Sequence, residues 1–155
     1  MQNHLDYCCV VWQECSLELQ RKVESIQNYG VRPILSKPAR TPSIDLRKEL
    51  NWVPLVRRRD MFQLFLVHRC VTRRAPRSLS ESLRTNGDIG NRRTRGWNNL
   101  FLPLVSSELF RRSFTFKGSQ DWNSLPRDLK AMRSSSAFRA SLTCYFKQRY
   151  FMDIS

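Results

Sequence analysis

Two short runs of arginine have the residue type and spacing best suited to binding phosphate. They comprise Arg57, Arg58, Arg59, Arg92, Arg93 and Arg95. The guanidinium group is always charged, and its planar fork of N–H donors fits a phosphate or a carboxylate. The first run, which we term the helix-start arginines, therefore has two interpretations. It contacts a nucleic-acid backbone, or it forms local salt bridges to Asp45, Glu49 or Asp60.

The second run, which we term the loop arginines (Arg92, Arg93 and Arg95), lies in a segment rich in glycine and asparagine, residues 85–99. Almost nothing in this segment is apolar, so we expect a mobile basic loop that is open to a phosphate backbone. Trp97 lies beside these arginines and also has two interpretations. It stacks on a base, or it closes the loop onto the core.

The net charge also favours phosphate as the partner. The chain has 27 Lys and Arg against 13 Asp and Glu, which gives a net charge of +14 and an isoelectric point near 10.5. Between residues 47 and 95 there are 13 basic and 4 acidic residues. Such a concentrated basic field predicts electrostatic, non-specific binding of RNA or DNA, with a solvated basic face as the alternative.

The sequence contains no recognisable catalytic or metal-binding motif. No two carboxylates are adjacent, as a pair that holds catalytic cations would be, and no glycine-rich phosphate loop occurs. His68 and Cys70 are two residues apart, which points them to different faces of a helix. No cysteines have C-x-x-C spacing, so a zinc site is not expected. We therefore expect no enzymatic activity, no metal and no cofactor.

Cysteine usage and hydropathy bear on location. The odd number of cysteines, five, and the lack of a signal peptide predict an intracellular protein, nuclear or cytoplasmic. No apolar run reaches the roughly 18–20 residues of a membrane-spanning helix, so no membrane association is expected.

Apolar periodicity predicts a mainly α fold, organised as a single compact helical domain over residues 1–155. Ser16 is expected to cap a helix that Gly30 and Pro33 end near residues 29–32. The apolar stripe of this helix comprises Leu19, Val23 and Ile26. Further helices are predicted over residues 4–14, where Val10-Val11 would also suit a strand, and over about residues 55–73 and 76–83. Ser43 is expected to cap a short helix that Trp52 and Pro54 end, and a last helix is expected from Ser134 or Ser135 to about Phe151. Partial alternation of apolar residues favours short extended segments around 100–117.

Two positions call for particular local structure. In Trp122-Asn123-Ser124-Leu125-Pro126, the proline restricts Leu125 to extended geometry, the polar pair is expected to cap the next helix, and the tryptophan anchors in a core. The helix-start arginines fall in the first two turns of the helix predicted over residues 55–73. Positive charge there opposes the helix dipole, so these side chains should pair with acids or with phosphates.

Five segments occur in an order that is similar to that of a known family. They are His4-Leu5-Asp6-Tyr7-Cys8 with Val11-Trp12; Leu19 with Val23-Glu24-Ser25-Ile26-Gln27; Leu50-Asn51-Trp52-Val53-Pro54-Leu55 with the helix-start arginines; Ser113-Phe114 with Trp122-Asn123-Ser124-Leu125-Pro126; and Ser135 to Tyr145 around Phe138. In order and approximate spacing they resemble the region after the polymerase core of non-LTR retrotransposon reverse transcriptases (LINE-type, Jockey-like). The resemblance covers about residues 4–151.

The resemblance implies a helical region that follows the palm in sequence, within a longer reverse-transcriptase polyprotein. This region would help to hold template RNA and target DNA. The catalytic aspartates of that family lie upstream, so no residue here inherits a catalytic role. We expect a non-catalytic C-terminal fragment of an RNA-directed DNA polymerase, binding nucleic acid through the helix-start and loop arginines. Two alternatives stay open: a helical protein–protein interaction module that docks through Phe146 and Tyr150, or a non-functional remnant of a mobile element.

Overall fold

The structure is a computed structural model that describes residues 6–12, 15–38, 40–90, 96–105 and 107–152. Helices dominate this part of the chain, and its one β pairing is an isolated bridge between Thr85 and Leu100. The prediction of a mainly α fold is confirmed. The helices are α1 (Cys9–Trp12), α2 (Leu17–Ile34), α3 (Ser43–Leu50), α4 (Leu55–Val71), α5 (Arg77–Glu81), α6 (Asn86–Ile89), α7 (Glu108–Arg111), α8 (Phe114–Ser124), α9 (Arg127–Ala131) and α10 (Ser135–Met152).

Serine side chains begin several of these helices. Ser16 Oγ accepts a hydrogen bond from the Leu19 amide at 3.3 Å, as the sequence predicted for α2. Ser107 and Ser113 cap α7 and α8 in the same way. The cap expected from Ser43 is wrong, because Ser43 is the first residue of α3 and a proline without a side-chain acceptor stands at the N-cap position. The extended segments expected around residues 100–117 are therefore wrong from residue 108 onwards. Two serine caps there give amides of the first helical turns their acceptors. These caps favour a helix over the extended geometry that the apolar alternation predicted.

Two compact units make up the chain, and each is described by itself. The first contains the described residues of 1–62 and 143–155, and the second contains those of 63–142. Helices α4 and α10 each have residues in both units. The single domain predicted over residues 1–155 stays a prediction.

In the first unit, the buried face of α2 differs from the face that the sequence predicted to be buried. Leu19 and Ile26 are about half exposed, whereas Gln27 and Val31 are buried. The stripe prediction is wrong for the two exposed residues, because it counted apolar side chains alone and left out a buried amide.

The C-terminal end of α2 also lies beyond its predicted position. The helix continues through Gly30 to Ile34 and includes Pro33 in its last turn. Proline removes one amide donor there, but the next amide, that of Ile34, still belongs to the helix. The turn then closes because the Leu35 amide donates to the Val31 carbonyl at 3.2 Å.

In the second unit, three aromatic rings from three helices form the centre of the core. His68 on α4 and Phe138 on α10 are stacked with ring centroids 4.1 Å apart, and Trp122 on α8 lies 5.8 Å from Phe138. All three residues are buried. The prediction that Trp122 anchors a core is confirmed.

The turn after Trp122 follows the prediction in its backbone but not in its caps. Leu125 is extended, with φ −67° and ψ 148°, as Pro126 requires. The expected capping by Asn123 and Ser124 is wrong, because Pro126 stands at the N-cap position of α9 and offers no side-chain acceptor. Instead, the Asn123 side chain accepts from the Leu100 amide and donates to the Leu100 carbonyl, each at 2.8 Å. The Asn123 side chain thus bonds to the backbone of Leu100, far away in the sequence, instead of capping α9.

Helix α6 begins the segment that the sequence predicted to be a mobile basic loop, residues 85–99. Thr85 and Asp88 form a capping box at its start. The Gly87 amide donates to the Trp97 carbonyl at 3.1 Å, and the Trp97 indole lies directly against Gly87. Trp97 therefore packs back on its own segment, and both of its interpretations, stacking on a base and closing the loop onto the core, stay predictions.

Candidate nucleic-acid interface

Arg57 is the most exposed of the helix-start arginines. Its side chain is 57% exposed, and its Nη1 lies 3.7 Å from Asp60 Oδ2, one helical turn further along α4. An exposed pair at this distance contributes little to stability and does not hold the guanidinium in place. Arg57 therefore remains accessible to an external anion.

Arg58 is held by a carboxylate from a distant part of the sequence. Its Nε donates to Asp6 Oδ1 at 2.7 Å, and its Nη2 pairs with Asp6 Oδ2. The guanidinium also lies 5.8 Å from the centre of the Phe62 ring. This two-pronged contact uses the donors that a phosphate would need.

Arg59 belongs to the interior of the first unit. The residue is only 2% exposed. Burial raises the pKa of the Cys9 thiol, the charge of Asp6 raises it further, and the charge of Arg59 opposes both. Arg59 thus lies near the Cys9 thiol, away from solvent. The helix-start arginines do not share one surface, because only the first of them is mainly exposed.

Glu24 is a structural residue that the sequence analysis missed. Its Oε2 accepts a hydrogen bond from the Leu55 amide at 3.0 Å, and its Oε1 pairs with Arg47 Nη2. The carboxylate therefore caps the N-terminus of α4, where negative charge is favourable. One signal was present in the sequence: Trp52-Val53-Pro54 offers no polar cap, so the first amides of α4 need an acceptor from elsewhere.

A basic groove of about 570 Å³ lies on the second unit, and we term it the 71–133 groove. Residues 71–74, which include the end of α4, form one wall, and residues 130–133 form the other. The cationic residues that line it are Arg73, Arg74, Lys130 and Arg133. Among the described residues, none of those that line this groove is acidic.

Hydrogen bonds fix both walls of the 71–133 groove. At the end of α4, Thr72 Oγ1 donates to the His68 carbonyl at 2.8 Å. Arg73 has φ 55°, in the left-handed region that commonly ends a helix, and its amide donates to Cys70 O at 3.0 Å. On the other wall, His68 Nε2 donates to the Met132 carbonyl at 2.8 Å. One buried histidine thus touches both walls.

Neutral groups, rather than carboxylates, accept hydrogen bonds from two cations of this groove. Lys130 Nζ donates to the Asn123 carbonyl at 3.1 Å, and Arg74 Nη1 donates to Ser135 Oγ at 3.0 Å. Burial lowers the pKa of Lys130, and the nearby charge of Arg127 lowers it further. The positive charges of Arg127 and Lys130 therefore repel each other along α9.

A second groove of about 860 Å³ lies beside the first and shares Val71 and Arg73 with it. Its lining is mixed in charge, because Glu81 and Asp88 line it together with arginines. Arg77 Nε donates to Glu81 Oε1 at 2.6 Å. The field of this second groove is therefore weaker than that of the 71–133 groove.

His68 and Cys70 do not form a nucleophilic pair. Burial is the main cause that lowers the pKa of His68 and, equally, the main cause that raises the pKa of the Cys70 thiol. The thiol is thus kept protonated, which is the inert form. His68 is committed to its ring stack and to the Met132 carbonyl.

The loop arginines lie outside the described residues. Among the residues that are described, no three His, Cys, Asp or Glu side chains gather where they could hold a metal ion. Over the same residues, none of the helices combines the length and apolar character needed to cross a membrane. The sequence matches no protein-family model, and comparison with curated proteins and with solved structures found none that is similar.

Proposed function

We propose that the chain is a non-catalytic C-terminal part of a non-LTR retrotransposon reverse transcriptase and that it binds RNA or DNA through basic surface. The observation that most supports binding of RNA or DNA is the net charge of +14, most of which lies between residues 47 and 95. A surface of this sign attracts any phosphate backbone, and the attraction does not depend on base sequence.

The way the motif residues are used supports the non-catalytic half of the proposal. Asp6, from the first of the five segments, holds Arg58, from the third. Glu24, from the second, caps the helix that begins at Leu55. These two residues that carry the resemblance thus hold separate segments of the first unit together.

Binding of a labelled RNA and a labelled DNA duplex, measured by fluorescence anisotropy across a salt series, tests the proposal. Removal of one arginine that binds a phosphate should reduce the slope of log K against log salt by about 0.9 for duplex DNA. The loop variant Arg92→Ala/Arg93→Ala/Arg95→Ala should therefore show a visibly flatter slope than the unmodified chain.

A control variant with the same change in net charge separates local binding from the overall field. Arg111→Ala, Arg112→Ala and Lys117→Ala remove one cation from the end of α7, one just after it and one from α8. Two of these cations are paired with Glu108 or Asp121. This control should keep most of the slope. Absence of salt-dependent binding by the unmodified chain would overturn the proposal.

A protein–protein interaction module is the second candidate. Phe146 and Tyr150 are each half-buried and pack against Tyr145 and Phe151, respectively. A better docking surface is the segment that carries Leu104 and Leu109, both strongly exposed. Capture of a protein partner that persists in high salt would favour this candidate over nucleic acid.

A further inference from the structure

The 71–133 groove brings together four cationic residues that stand in two separate parts of the sequence. Arg73 and Arg74 follow α4, whereas Lys130 and Arg133 stand at the end of α9 and just after it. We propose that this groove binds the phosphodiester backbone of the nucleic acid. The inference rests on the proposed function and deepens it, because it names the site.

The arginines of this groove differ from the helix-start arginines in having no ion-pair partner among the described residues. Within the described residues, none of the ion pairs involves Arg73, Arg74 or Arg133, all of which are exposed. Arg58, by contrast, already has a carboxylate on its donors. Arg73 lies within the field of Asp88, whose pKa it helps to lower, but it forms no ion pair with that carboxylate. Guanidinium groups that form no ion pair keep their donors available for phosphate.

The helix ends that form the groove do not cancel its positive charge. A helix C-terminus carries about half a negative charge on its last carbonyls. Amides of the chain beyond α4 take up several of these carbonyls: the Arg73 amide donates to Cys70 O, and the Arg74 amide donates to Arg69 O at 2.7 Å. The Met132 carbonyl accepts from His68. The three guanidinium charges alone therefore outweigh the two helix ends.

The walls are also built firmly enough to present these charges together. The His68 ring is buried and stacked on Phe138, and its hydrogen bond to the Met132 carbonyl fixes the 130–133 wall against the end of α4. A fixed groove needs little reorganisation when an anion binds, and this favours affinity. The neighbouring groove fits phosphate less well, because Glu81 and Asp88 would repel it.

The test uses the full chain with Arg73→Gln and Arg133→Gln together, two exposed residues outside the ion pairs of the described chain. Labelled single-stranded RNA, RNA duplex and DNA duplex are titrated by anisotropy across a salt series. For duplex DNA we expect the slope to fall by about 2 and the affinity at low salt to fall at least tenfold. The three probes show which nucleic acid supplies the phosphodiester.

The matched control is Arg111→Gln with Arg112→Gln, which removes the same charge at α7 of the same unit. Its affinity should stay within about threefold of the unmodified chain, because phosphate binding depends on the local cations. Circular dichroism and urea unfolding check that both variants fold. If the groove variant and the control bind alike while the unmodified chain shows a salt-dependent affinity, the groove is overturned and the proposed function stands. If the unmodified chain does not bind, the proposed function itself fails.

Discussion

At the scale of single residues, acidic partners decide what each arginine does. Arg58 and Arg59 are adjacent in sequence, yet one is clamped by Asp6 and the other is buried. Arg57, next to them, is mainly exposed. The expectation that arginines at a helix start pair with acids or phosphates is confirmed for the pairs with Asp6 and Asp60. Whether phosphate contacts any of the three stays a prediction.

The first prediction separates the structural arginine from the exposed one. Arg58→Ala leaves the Asp6 carboxylate partly buried without its two-pronged partner, so we expect the free energy of unfolding to fall by about 2 kcal/mol. Arg57→Ala should change it by less than about 0.5 kcal/mol, because that pair is exposed and 3.7 Å long. Urea unfolding followed by circular dichroism measures both. Equal decreases in the two variants would show that the pair with Asp6 is not structural.

The second prediction concerns pH and His68. Above the ordinary pKa of 6.5 the imidazole is neutral in the folded and unfolded chain alike and makes no pH-dependent contribution. Burial lowers its folded pKa, so below pH 6.5 the unfolded chain takes up a proton that the folded chain resists. Stability should therefore fall as the pH drops below 6.5, by at most about 1.4 kcal/mol per pH unit, until the folded pKa is reached.

His68→Gln is the comparison that isolates this effect. The amide can still donate to the Met132 carbonyl but does not titrate. The unfolding free energies of both proteins are measured by urea titration at intervals from pH 8 to pH 5. The stability advantage of the unmodified chain should narrow as the pH falls through the window below 6.5. A difference that is constant with pH would mean that His68 is protonated as readily in the folded chain.

At the scale of secondary-structure elements, caps determine where helices begin, and close contacts determine how a segment packs back on itself. Ser16, Ser107 and Ser113 begin helices by local hydrogen bonds. Helix α4 follows Trp52-Val53-Pro54, which offers no side-chain acceptor, and takes the Glu24 carboxylate from another helix. Helix α6 packs against the Trp97 indole through a residue without a side chain, Gly87.

The third prediction follows from that last contact. A Cβ atom at residue 87 would lie 2.5 Å from Cε2 of the Trp97 indole, which is closer than atoms in contact can be. Gly87→Ala must therefore displace the ring, and we expect it to lower the free energy of unfolding by about 1–3 kcal/mol. Urea unfolding provides the measurement.

The matched control is Gly90→Ala, at a second glycine of this segment, just after α6. There a Cβ atom would meet the Asn86 carbonyl oxygen at 3.5 Å, an ordinary contact. This substitution should be neutral or slightly stabilising, since alanine restricts the unfolded chain more than glycine does. In a Trp97→Ala background, the cost of Gly87→Ala should largely disappear. A cost that persists there would place its origin in the backbone of α6.

At the scale of the whole molecule, positive charge is the dominant property, but the basic residues have different roles. Some basic residues support the fold of their own unit, as Arg47 does with Glu24 and Arg58 does with Asp6. Others, such as Arg74, Lys130 and Arg133, line a groove whose lining residues are basic or neutral. Net charge is thus a poor guide to which residues meet a ligand, although it is a good guide to the kind of ligand.

The sequence by itself determined what depends on local pattern and composition. The mainly α class, the Ser16 cap, the extended Leu125 before Pro126 and the burial of Trp122 all followed from periodicity, short-range hydrogen bonding or ring geometry. The sign and size of the charge need no structure at all. Apart from the burial of Trp122, which the size of its ring favours, these properties involve neighbours a few residues apart, so the sequence pattern contains them.

Only the tertiary structure decided which residues meet. Asp6 and Arg58 are 52 residues apart, and Glu24 caps Leu55 across 31 residues. The 71–133 groove likewise joins two segments far apart in the chain, so neither arginine run of the sequence pointed to it. Long-range pairing depends on how helices pack and on which buried groups need a partner, and neither is contained in the spacing of residues along the chain.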